Sequence, residues 1–393
     1  MRERRLRIAI LTHSTNPRGG VVHALSLGEA LTDLGHDAVV HAPDPGGQGF
    51  FRAARCRTTP VAAQPVSGST IELVGARIAD YQRHFATPAA CDYDVFHAQD
   101  AISGNALTTL MRRRLVPAFV RTVHHLDQFA DPQLAYWHDR AIYEATTLLC
   151  VSRLWQDTLR RDFGLDADTV GNGVDTSAYG PLVAVEDDML RREWGIGPGP
   201  VFLSVGGFEE RKNALRIIEA FALVRAQQPQ AQLLVVGGAS LLDHASYQAR
   251  CRAALDGAGL EVGPGRAVIR TGPVPQAAMP SLYRIADALV FPSLKEGFGL
   301  CVLEAMASGT PTIVADLAPF TEYLTANDTL FVDPENVWAI AGAMAAVLGP
   351  DRRRHLSAAG PAIAKRHSWR SCAAKHVAAY AACTNRKQAL SDA

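Results

Sequence analysis

Residues 291–311 of the 393-residue chain have the sequence FPSLKEGFGLCVLEAMASGTP, which combines a strand, a glycine-bearing loop and a helix. The apolar run that ends at Phe291 predicts a buried strand, and the helix is predicted to begin near Gly299. The free amides and the positive dipole end of such a helix can hold an anion such as a diphosphate. Gly297 and Gly299 let a ligand approach the backbone closely. The stretch therefore predicts an anion site at the end of a strand.

Two carboxylates stand eight positions apart in this stretch. Glu304 lies about one turn into the predicted helix, where a carboxylate can accept two hydrogen bonds from a ribose diol. Glu296 lies in the loop, near whatever group the diphosphate carries. A solvated helix face and a loop charge are the ordinary alternatives, but the helix around Glu304 is apolar nearly all round. We therefore expect the two carboxylates to serve different parts of one ligand.

A second strand, glycine turn and helix start occupies residues 201–213, VFLSVGGFEERKN. Arg211 and Lys212 at this turn can neutralise a diphosphate and stabilise it as a leaving group. Basic residues at helix starts are common, so the turn alone indicates little. Taken with residues 291–311, it completes a predicted anion site.

The whole chain alternates short runs of branched apolar residues with longer helical patterns, which is typical of βαβ units and of parallel sheets covered on both faces. The first series predicts strands near 7–11, 38–41, 95–97, 118–123 and 148–151, with helices such as 21–34 and 105–114 between them. The second series predicts strands near 201–205, 232–236, 268–271, 288–291 and 312–315. Residues 175–200, rich in proline, glycine and acidic residues, suit a linker with one short helix.

This pattern predicts an α/β fold of two Rossmann-like, doubly wound parallel-sheet domains that face each other across a cleft. The N-terminal domain is expected at 1–175 and the C-terminal domain at 176–367. A C-terminal helix at about 368–386 is a candidate to pack back on the first domain. Ligands of such sheets bind beyond the carboxyl ends of the strands, so the functional residues should follow the strands.

Composition excludes several classes of protein. With 48% hydrophobic and 20% charged residues, the chain is a globular protein of about two domains. Its 39 Lys and Arg balance 39 Asp and Glu, so we expect no nucleic-acid partner. Seven cysteines without metal spacing indicate reduced core residues. The apolar run from Ile8 to Leu11 is too short for a signal peptide, and no stretch approaches the roughly 18 apolar residues of a membrane span. We expect a cytoplasmic location.

Residues 201–213 and 291–311 together resemble the retaining GT-B glycosyltransferases of the family 4 type, also called group 1 glycosyltransferases. The hallmark of that family is a glutamate, seven residues and a second glutamate followed by an Ala-Met-Ala helix, which corresponds to Glu296 and Glu304. The resemblance implies that Glu296 contacts the donor sugar, that Glu304 contacts the ribose and that Lys212 contacts the diphosphate.

The resemblance runs from Arg7 to about Leu348, with one departure. Many members of the family carry an arginine directly after the glycine of the Val-Gly turn, and here that position is Gly207. Whether Arg211 replaces the missing charge stays open at this point.

The implied donor-binding residues come from both predicted domains. Gly19 and Gly20 open the helix that begins near Val21, and the family has a glycine pair at this place that faces the donor phosphates and the acceptor. His124 ends a Thr-Val-His similar to the family motif whose histidine touches the donor sugar. The donor-binding set is Gly19, Gly20, Arg211, Lys212, Glu296, Gly297, Phe298, Gly299, Leu300 and Glu304. The residues assigned to catalysis are Glu296, Lys212, His124 and Arg211.

Four more polar residues follow or end strands of the first half and are assigned to the acceptor side: His13, His97, Asp100 and Asp127. If the strands are placed correctly, these side chains converge with His124 on one rim suited to binding sugar hydroxyls. No spacing of His, Cys and Asp supports a metal site. We therefore expect no metal and no cofactor, with the nucleotide sugar as a co-substrate.

Several alternatives remain open. Asp92-Tyr93-Asp94 and Asp166-Ala167-Asp168 match the Asp-x-Asp pattern of metal-dependent GT-A enzymes, although matches of three residues are common. A nucleotide-sugar-binding protein without turnover is one alternative function, and a sugar-nucleotide epimerase with the GT-B fold is another. Residues 112–114, three arginines at a predicted helix end, are better explained by solvation than by weak peripheral contact with a membrane.

The resemblance implies an EC 2.4 hexosyltransferase. It moves a hexosyl group from a nucleotide diphosphate sugar to an acceptor hydroxyl, with retention of anomeric configuration and without a metal. UDP-sugars are favoured over GDP- or ADP-sugars. The sequence does not identify the acceptor.

Overall fold

In the computed structural model, which describes residues 4–238 and 245–391, the chain folds into two units. The first unit comprises the described residues up to Asn172 together with those from Trp369 onward. The second unit spans Gly173–Ser368. The first unit therefore ends at Asn172 rather than at 175, and the chain returns to it at Trp369.

The first unit is built on a seven-stranded parallel sheet. Its strands are β1 (Arg7–Leu11), β2 (Asp37–Asp44), β3 (Arg57–Ala62), β4 (Val95–Ala98), β5 (Val120–Val123), β6 (Thr147–Cys150) and β7 (Asp168–Thr169). The helices that precede Asn172 are α1 (Gly19–Asp33), α2 (Thr70–His84), α3 (Ala101–Arg112), α4 (Pro132–Tyr143) and α5 (Arg153–Thr158). The order across the sheet is β3-β2-β1-β4-β5-β6-β7.

The second unit is built on a six-stranded parallel sheet. Its strands are β8 (Val201–Val205), β9 (Gln232–Val236), β10 (Val268–Gly272), β11 (Ala288–Phe291), β12 (Thr312–Ala315) and β13 (Leu330–Val332). Its helices are α6 (Val185–Trp194), α7 (Ala214–Gln227), α8 (Ala245–Gly257), α9 (Met279–Ile285), α10 (Leu300–Ala307), α11 (Phe320–Tyr323), α12 (Val337–Val347) and α13 (Pro350–Arg366). The order across the sheet is β10-β9-β8-β11-β12-β13.

The last helix, α14 (Trp369–Ser391), belongs to the first unit and packs against α1. Its Ala373, Ala379 and Tyr380 are buried in the same apolar cluster as Leu25 of α1 and Ile10 of β1. The C-terminal segment thus completes the core of the N-terminal unit.

The central strands are mostly apolar because helices cover both faces of each sheet. In β1, Ile8 and Ile10 enter the cluster beneath α1 and α14, whereas Ala9 and Leu11 enter the cluster on the opposite face, beneath α2 and α3. Successive side chains of a strand point to opposite faces, so one short apolar run contributes to two cores. None of the helices in the described part of the chain has a stretch long and apolar enough to span a bilayer.

Each sheet has a point at which the strand order reverses. It falls between β1 and β4 in the first unit and between β8 and β11 in the second. The loops that leave neighbouring strands diverge there, which opens a crevice at the carboxyl ends of the strands. In the second unit, the loops that follow β8 and β11 are residues 206–213 and 292–299, the two stretches singled out in the sequence.

Candidate functional site

The turn after β8 is joined to the loop after β11 by a backbone hydrogen bond and a side-chain hydrogen bond, and to the loop after β13 by another side-chain bond. The amide of Leu294 donates to the carbonyl of Arg211 at 2.9 Å. The side-chain amide of Asn213 donates to the carbonyls of Pro292 at 3.0 Å and Pro334 at 2.6 Å. Asn213 is 1% exposed and has a φ of +63°, so its buried amide fixes an unusual backbone turn. These bonds hold the two loops in one arrangement.

Two cations of the β8 turn converge on one carboxylate of the β11 loop. Oε1 of Glu296 accepts a hydrogen bond from Nη1 of Arg211 at 3.0 Å and another from Nζ of Lys212. The Lys212 ammonium also lies 4.3 Å over the ring of Phe291, a favourable cation–π position. The Lys212 side chain is 12% exposed and that of Glu296 is 9% exposed, whereas Arg211 is more open at 42%. The structure therefore brings together three residues predicted to bind the donor.

The loop between Glu296 and α10 packs against aromatic side chains of α11. Gly299 has a φ of +92°, and a β-carbon there would lie 2.6 Å from Cε1 of Phe320, so only glycine fits. The ring of Phe298 stacks on that of Tyr323, with centroids 4.9 Å apart and an interplanar angle of 2°. The hydroxyl of Tyr323 donates to the carbonyl of Phe298 at 3.1 Å. The Phe298 ring is thus part of the core, and Leu300 begins α10 directly beyond it.

Glu304 lies within α10 and is held by tyrosines. The hydroxyl of Tyr283, on α9, donates to Oε2 of Glu304 at 2.7 Å. Burial raises the pKa of the Glu304 carboxyl, and hydrogen bonds from Tyr283 and Tyr179 act in the opposite direction. An ionised carboxylate has about four acceptor positions, so these bonds leave room for a ligand's hydroxyls. No spacing in the sequence indicated Tyr283 or Tyr179, because both come from other elements.

Two further polar groups near these loops were missed by the sequence. Glu209 is 3% exposed, and its Oε2 lies 3.3 Å from Nη2 of Arg211, so Arg211 lies between two carboxylates. The Ser293 hydroxyl is buried without a hydrogen-bond partner among the described residues. In the sequence, Glu209 belongs to a run of charges that is typical of a solvated turn, so nothing indicated its burial.

The backbone at Gly207 favours glycine over the arginine that the family resemblance would place there. Gly207 has a φ of +66°, and a β-carbon there would lie 3.1 Å from the carbonyl oxygen of Gly237 and 3.2 Å from that of Gly238. An arginine in this backbone would be both crowded and strained. In this turn, Arg211 and Lys212 supply the positive charge that faces the β11 loop.

In the first unit, the glycine pair and His124 lie side by side. Helix α1 begins at Gly19, and a β-carbon at Gly20 would lie 3.9 Å from Cδ2 of His124. Nε2 of His124 lies 2.8 Å from Oε1 of Gln99, and the ring of His23 meets that of His124 edge-on at 4.6 Å. Burial lowers the pKa of His124 well below its ordinary value, so the ring is neutral at pH 7.

Three of the predicted acceptor-side residues take part in two pairs of polar side chains. Nδ1 of His13 lies 3.5 Å from Oδ2 of Asp100, whose Oδ1 caps α3 by accepting from the amide of Ser103 at 2.8 Å. Asp127 pairs instead with the more exposed His125, with Nε2 and Oδ2 2.8 Å apart.

The prediction for His97 is wrong. Its side chain is fully buried, with Nδ1 2.7 Å from the hydroxyl of Tyr380 and Nε2 2.7 Å from that of Thr122. The physical reason is that His97 lies within β4 rather than after it, and helices cover both faces of the sheet at that position. Both ring nitrogens are used inside the core, so His97 cannot bind an acceptor directly.

The Asp-x-Asp motifs occupy structural positions. Asp94 accepts from the backbone amide of Arg7 at 2.8 Å and from the Arg4 guanidinium at 2.7 Å, and Asp92 pairs with the side chain of Arg7. These contacts lie where β4 begins, at the amino ends of the strands. Asp166 pairs with Arg160 at 3.0 Å. Within residues 4–238 and 245–391, no group of three or more His, Cys, Asp or Glu side chains is arranged to hold a metal ion.

Comparisons with known proteins identify the family and the fold. Two family models match, "Glycosyltransferase Family 4" over residues 17–178 and "Glycosyl transferases group 1" over residues 187–362. The D-inositol 3-phosphate glycosyltransferase of Corynebacterium aurimucosum is 28% identical, over 94% of this chain and 94% of its own. Among solved structures, sucrose-phosphate synthase from Thermosynechococcus elongatus superposes with a TM-score of 0.76 at 22% identity, over 99% of this chain and 100% of that one. Anabaena HepE in complex with UDP-glucose gives a TM-score of 0.75 at 18% identity, over 95% and 99%. The chain is therefore a glycosyltransferase of the GT-B fold, with a family 4 domain in its first half and a group 1 domain in its second.

Proposed function

We propose that the enzyme transfers a hexosyl group from a nucleotide diphosphate sugar to an acceptor hydroxyl, with retention of anomeric configuration and without a metal. The observation that carries this proposal is the pair of cations, Arg211 and Lys212, gathered on Glu296 beside the start of α10. Fixed positive charge at that place stabilises a departing diphosphate. The name of the HepE complex, which includes UDP-glucose, supports a UDP-sugar as donor, ahead of GDP- and ADP-sugars.

In the proposed complex, different residues bind the ribose, the diphosphate and the sugar of the donor. The ribose diol donates hydrogen bonds to Glu304, the diphosphate contacts Lys212, Arg211 and the amides at the start of α10, and the sugar lies near Glu296. Lys212 and Arg211 then exchange part of their contact with Glu296 for contact with the diphosphate. His124 accepts a hydrogen bond from a sugar hydroxyl and orients the anomeric carbon.

In the proposed reaction, the bond between the anomeric carbon and the diphosphate oxygen breaks. The acceptor oxygen forms its bond to the same face of the sugar. The acceptor's proton passes to an oxygen of the leaving diphosphate, which departs as the free nucleotide diphosphate. No carboxylate of the first half is placed in this scheme as a covalent nucleophile.

A donor panel tests the proposal directly. Purified protein is screened by thermal shift against UDP-, GDP- and ADP-sugars, because a ligand that binds only the native state raises the melting temperature. The best donor is then incubated with simple sugars and sugar phosphates, and the anomeric configuration of the product is read by proton NMR. Binding without transfer or donor hydrolysis would identify a binding protein, and a donor returned with one inverted carbon would identify an epimerase.

The absence of a metal requirement is tested in the same assay. In the proposal, Lys212 and Arg211 supply the positive charge that a metal ion would otherwise provide, so we expect turnover to be unchanged in EDTA. Activity that is lost in EDTA and restored by manganese or magnesium would contradict this.

A further inference from the structure

We propose that Gln99 is a positioning residue for His124: it fixes the imidazole with its proton on Nε2 and leaves the Nδ1 lone pair to accept a hydrogen bond from a hydroxyl of the bound sugar. The part of this inference that concerns the sugar rests on the function proposed above. The part that concerns the tautomer depends only on the first unit itself.

The contact between the two side chains decides which ring nitrogen carries the proton. Nε2 of His124 lies 2.8 Å from Oε1 of Gln99. An amide oxygen can only accept, so the ring nitrogen that faces it has to donate. A neutral imidazole carries one proton, and Nδ1 is then an acceptor. Within the described residues, Nδ1 of His124 has no hydrogen-bond partner, and the side chain is partly exposed.

The orientation of the Gln99 amide is fixed by its other neighbour, His97. The amide nitrogen of Gln99 lies 3.3 Å from Nδ1 and 3.2 Å from Nε2 of His97. Because the two distances are nearly equal, the amide nitrogen lies either over the face of the His97 ring or in the ring plane beyond Cε1. In the ring plane it would overlap the Cε1–H group, so it lies over the face. Amide hydrogens are attracted to an aromatic face, whereas an amide oxygen is repelled by it. The oxygen is therefore directed toward His124.

The His97 ring is itself held in place. Tyr380 and Thr122 occupy its two nitrogens, each at 2.7 Å, so the ring can neither rotate nor compete for the Gln99 oxygen. Gln99 is 3% exposed, so solvent has little access to the contact. A series of buried contacts thus runs from Tyr380 of α14 through His97 and Gln99 to His124.

A glutamine suits this role better than a carboxylate. The charged or titratable groups that face His124 are His23 on α1, His97 on β4, Arg121 on β5 and the adjacent His125, and each lowers its pKa in addition to burial. A glutamate at position 99 would counter these effects and favour a charged ring. The transition state of glycosyl transfer resembles an oxocarbenium ion, and a neutral acceptor beside the sugar does not oppose that positive charge.

The tautomer is measured on the full-length protein without any ligand. The protein is labelled with 15N-histidine, and the His124 signals are assigned by their loss in His124→Ala. We expect a protonated Nε2 and an unprotonated Nδ1 in the wild type, and a mixture of tautomers in Gln99→Met. The matched control is Gln156→Met, which removes another glutamine of the same unit, whose amide donates to the carbonyl of Ala167 at 2.6 Å. It should leave the His124 signals unchanged. A proton on Nδ1 in the wild type would overturn the proposal.

Kinetics test the consequence, with UDP-glucose hydrolysis as the first assay. Gln99→Met should lower kcat about ten-fold, the loss of roughly one hydrogen bond, and leave UDP affinity unchanged. In a His124→Ala background, Gln99→Met should cause no further loss, because the two residues act as one unit. A further loss in that background would show that Gln99 does not act through His124 and would overturn the proposal.

Gln99→Glu separates positioning from a merely structural role. Its carboxylate still accepts from Nε2 but raises the pKa of His124, so the acid limb of the pH–rate profile should move to higher pH. Activity should return toward the wild-type value above that limb. A profile of unchanged shape would contradict the role of Gln99. Unchanged turnover in His124→Ala would contradict the proposed contact between His124 and the sugar. The tautomer measurement does not depend on that contact and would still test the role of Gln99.

Discussion

At the scale of single residues, the site depends on carboxylates that are buried but not isolated. Glu304 receives a hydrogen bond from Tyr283 inside an apolar helix, and Glu296 lies against two cations. Burying a carboxylate without such partners would cost several kcal/mol. The partners hold each carboxylate in a single orientation before any ligand arrives, and this preorganisation lowers the entropic cost of binding.

The first prediction concerns Glu304. In Glu304→Ala, the affinity for free UDP should fall by roughly 1.5–3 kcal/mol, or about 10- to 150-fold, because hydrogen bonds from the ribose to a charged acceptor are lost. Isothermal titration calorimetry measures the affinity. Glu335→Ala serves as the control, since the Glu335 side chain is 73% exposed. Unchanged UDP affinity in a folded Glu304→Ala protein would remove Glu304 from the site.

The sequence predicted residues of the site that share a motif and missed those that meet across the sheet. Glu296 and Glu304 were found because a spacing of eight within one loop and helix is visible in the chain itself. Tyr283 and Gln99 contact residues that belong to other parts of the sheet and its helices, and no local pattern records such contacts. Glu209 contacts Arg211 within its own turn, but a run of charges does not reveal that it is buried. His97 was placed on the correct strand, but the prediction did not distinguish a residue inside a strand from one just beyond it.

At the scale of elements, the glycine loop before α10 is tightly constrained. Its backbone needs a left-handed conformation at Gly299, and Phe320 leaves no room for a β-carbon there. The stack of Phe298 on Tyr323 then anchors the loop to α11. The start of α10, with its free amides, therefore has a fixed position relative to β11.

The second prediction tests this constraint. Gly299→Ala should destabilise the protein by roughly 1–3 kcal/mol, since alanine would be strained at this φ and would displace Phe320. UDP affinity should fall as well, because the helix start moves. Gly342→Ala, within α12, is the matched control: nothing lies within 4 Å of its added carbon, so it should stabilise by roughly 0.5–1 kcal/mol. Urea unfolding measures both variants, and equal stabilities would contradict the argument.

The sequence predicted the central strands closely and missed three of the four strands at the sheet edges. The ranges expected for β1, β8, β9, β11 and β12 agree with the structure, because strands buried on both faces are continuous apolar runs. The missed strands are β3, β7 and β13. β3 contains polar residues and Pro60 along an exposed edge, and β7 has two residues, so neither carries an apolar signal strong enough to detect.

At the scale of the whole molecule, buried neutral histidines are concentrated in the first unit. Burial lowers the pKa of His23 to about 3 and that of His376 to about 4. His97 and His124, which contact this group, are also shifted well below the ordinary value. Each of these four rings has its centroid within 6 Å of that of at least one other, so protonating any of them would place charge in the buried core.

The third prediction is a loss of stability in acid. Histidines of the unfolded chain have a pKa near 6.5, so below that pH the unfolded chain binds protons at these positions. In the folded unit the pKa values are lower, and the same histidines stay unprotonated. The contribution is fully present above about pH 6.5 and is lost as the pH falls toward 4, at up to about 1.4 kcal/mol per pH unit for each histidine. Urea titrations between pH 7.5 and 5 should show this slope, with hydrogen exchange rising first in β4 and α14.

A pair of variants isolates the effect. His376→Gln keeps a hydrogen-bond donor for the carbonyl of Cys372. It should reduce the slope of the unfolding free energy against pH by the contribution of about one proton. His355→Gln, an exposed position in the second unit, should leave the slope unchanged. Stability that stays constant between pH 7.5 and 5 would show that these rings do not control it.

Because α14 belongs to the first unit but follows the second unit in the chain, translation supplies all residues of the second unit before the first unit is complete. The residues up to Asn172 leave the ribosome before those of α14, so their core lacks Ala373 and Tyr380 until α14 has been synthesised. About 200 residues of the second unit come between, which at about 5–20 residues per second is a delay of roughly 10–40 s. Throughout that delay, the nascent first half exposes the apolar side of α1, a surface that chaperones bind. A message cut short anywhere before Trp369 would release a polypeptide that keeps this surface exposed and is a substrate for cellular proteases.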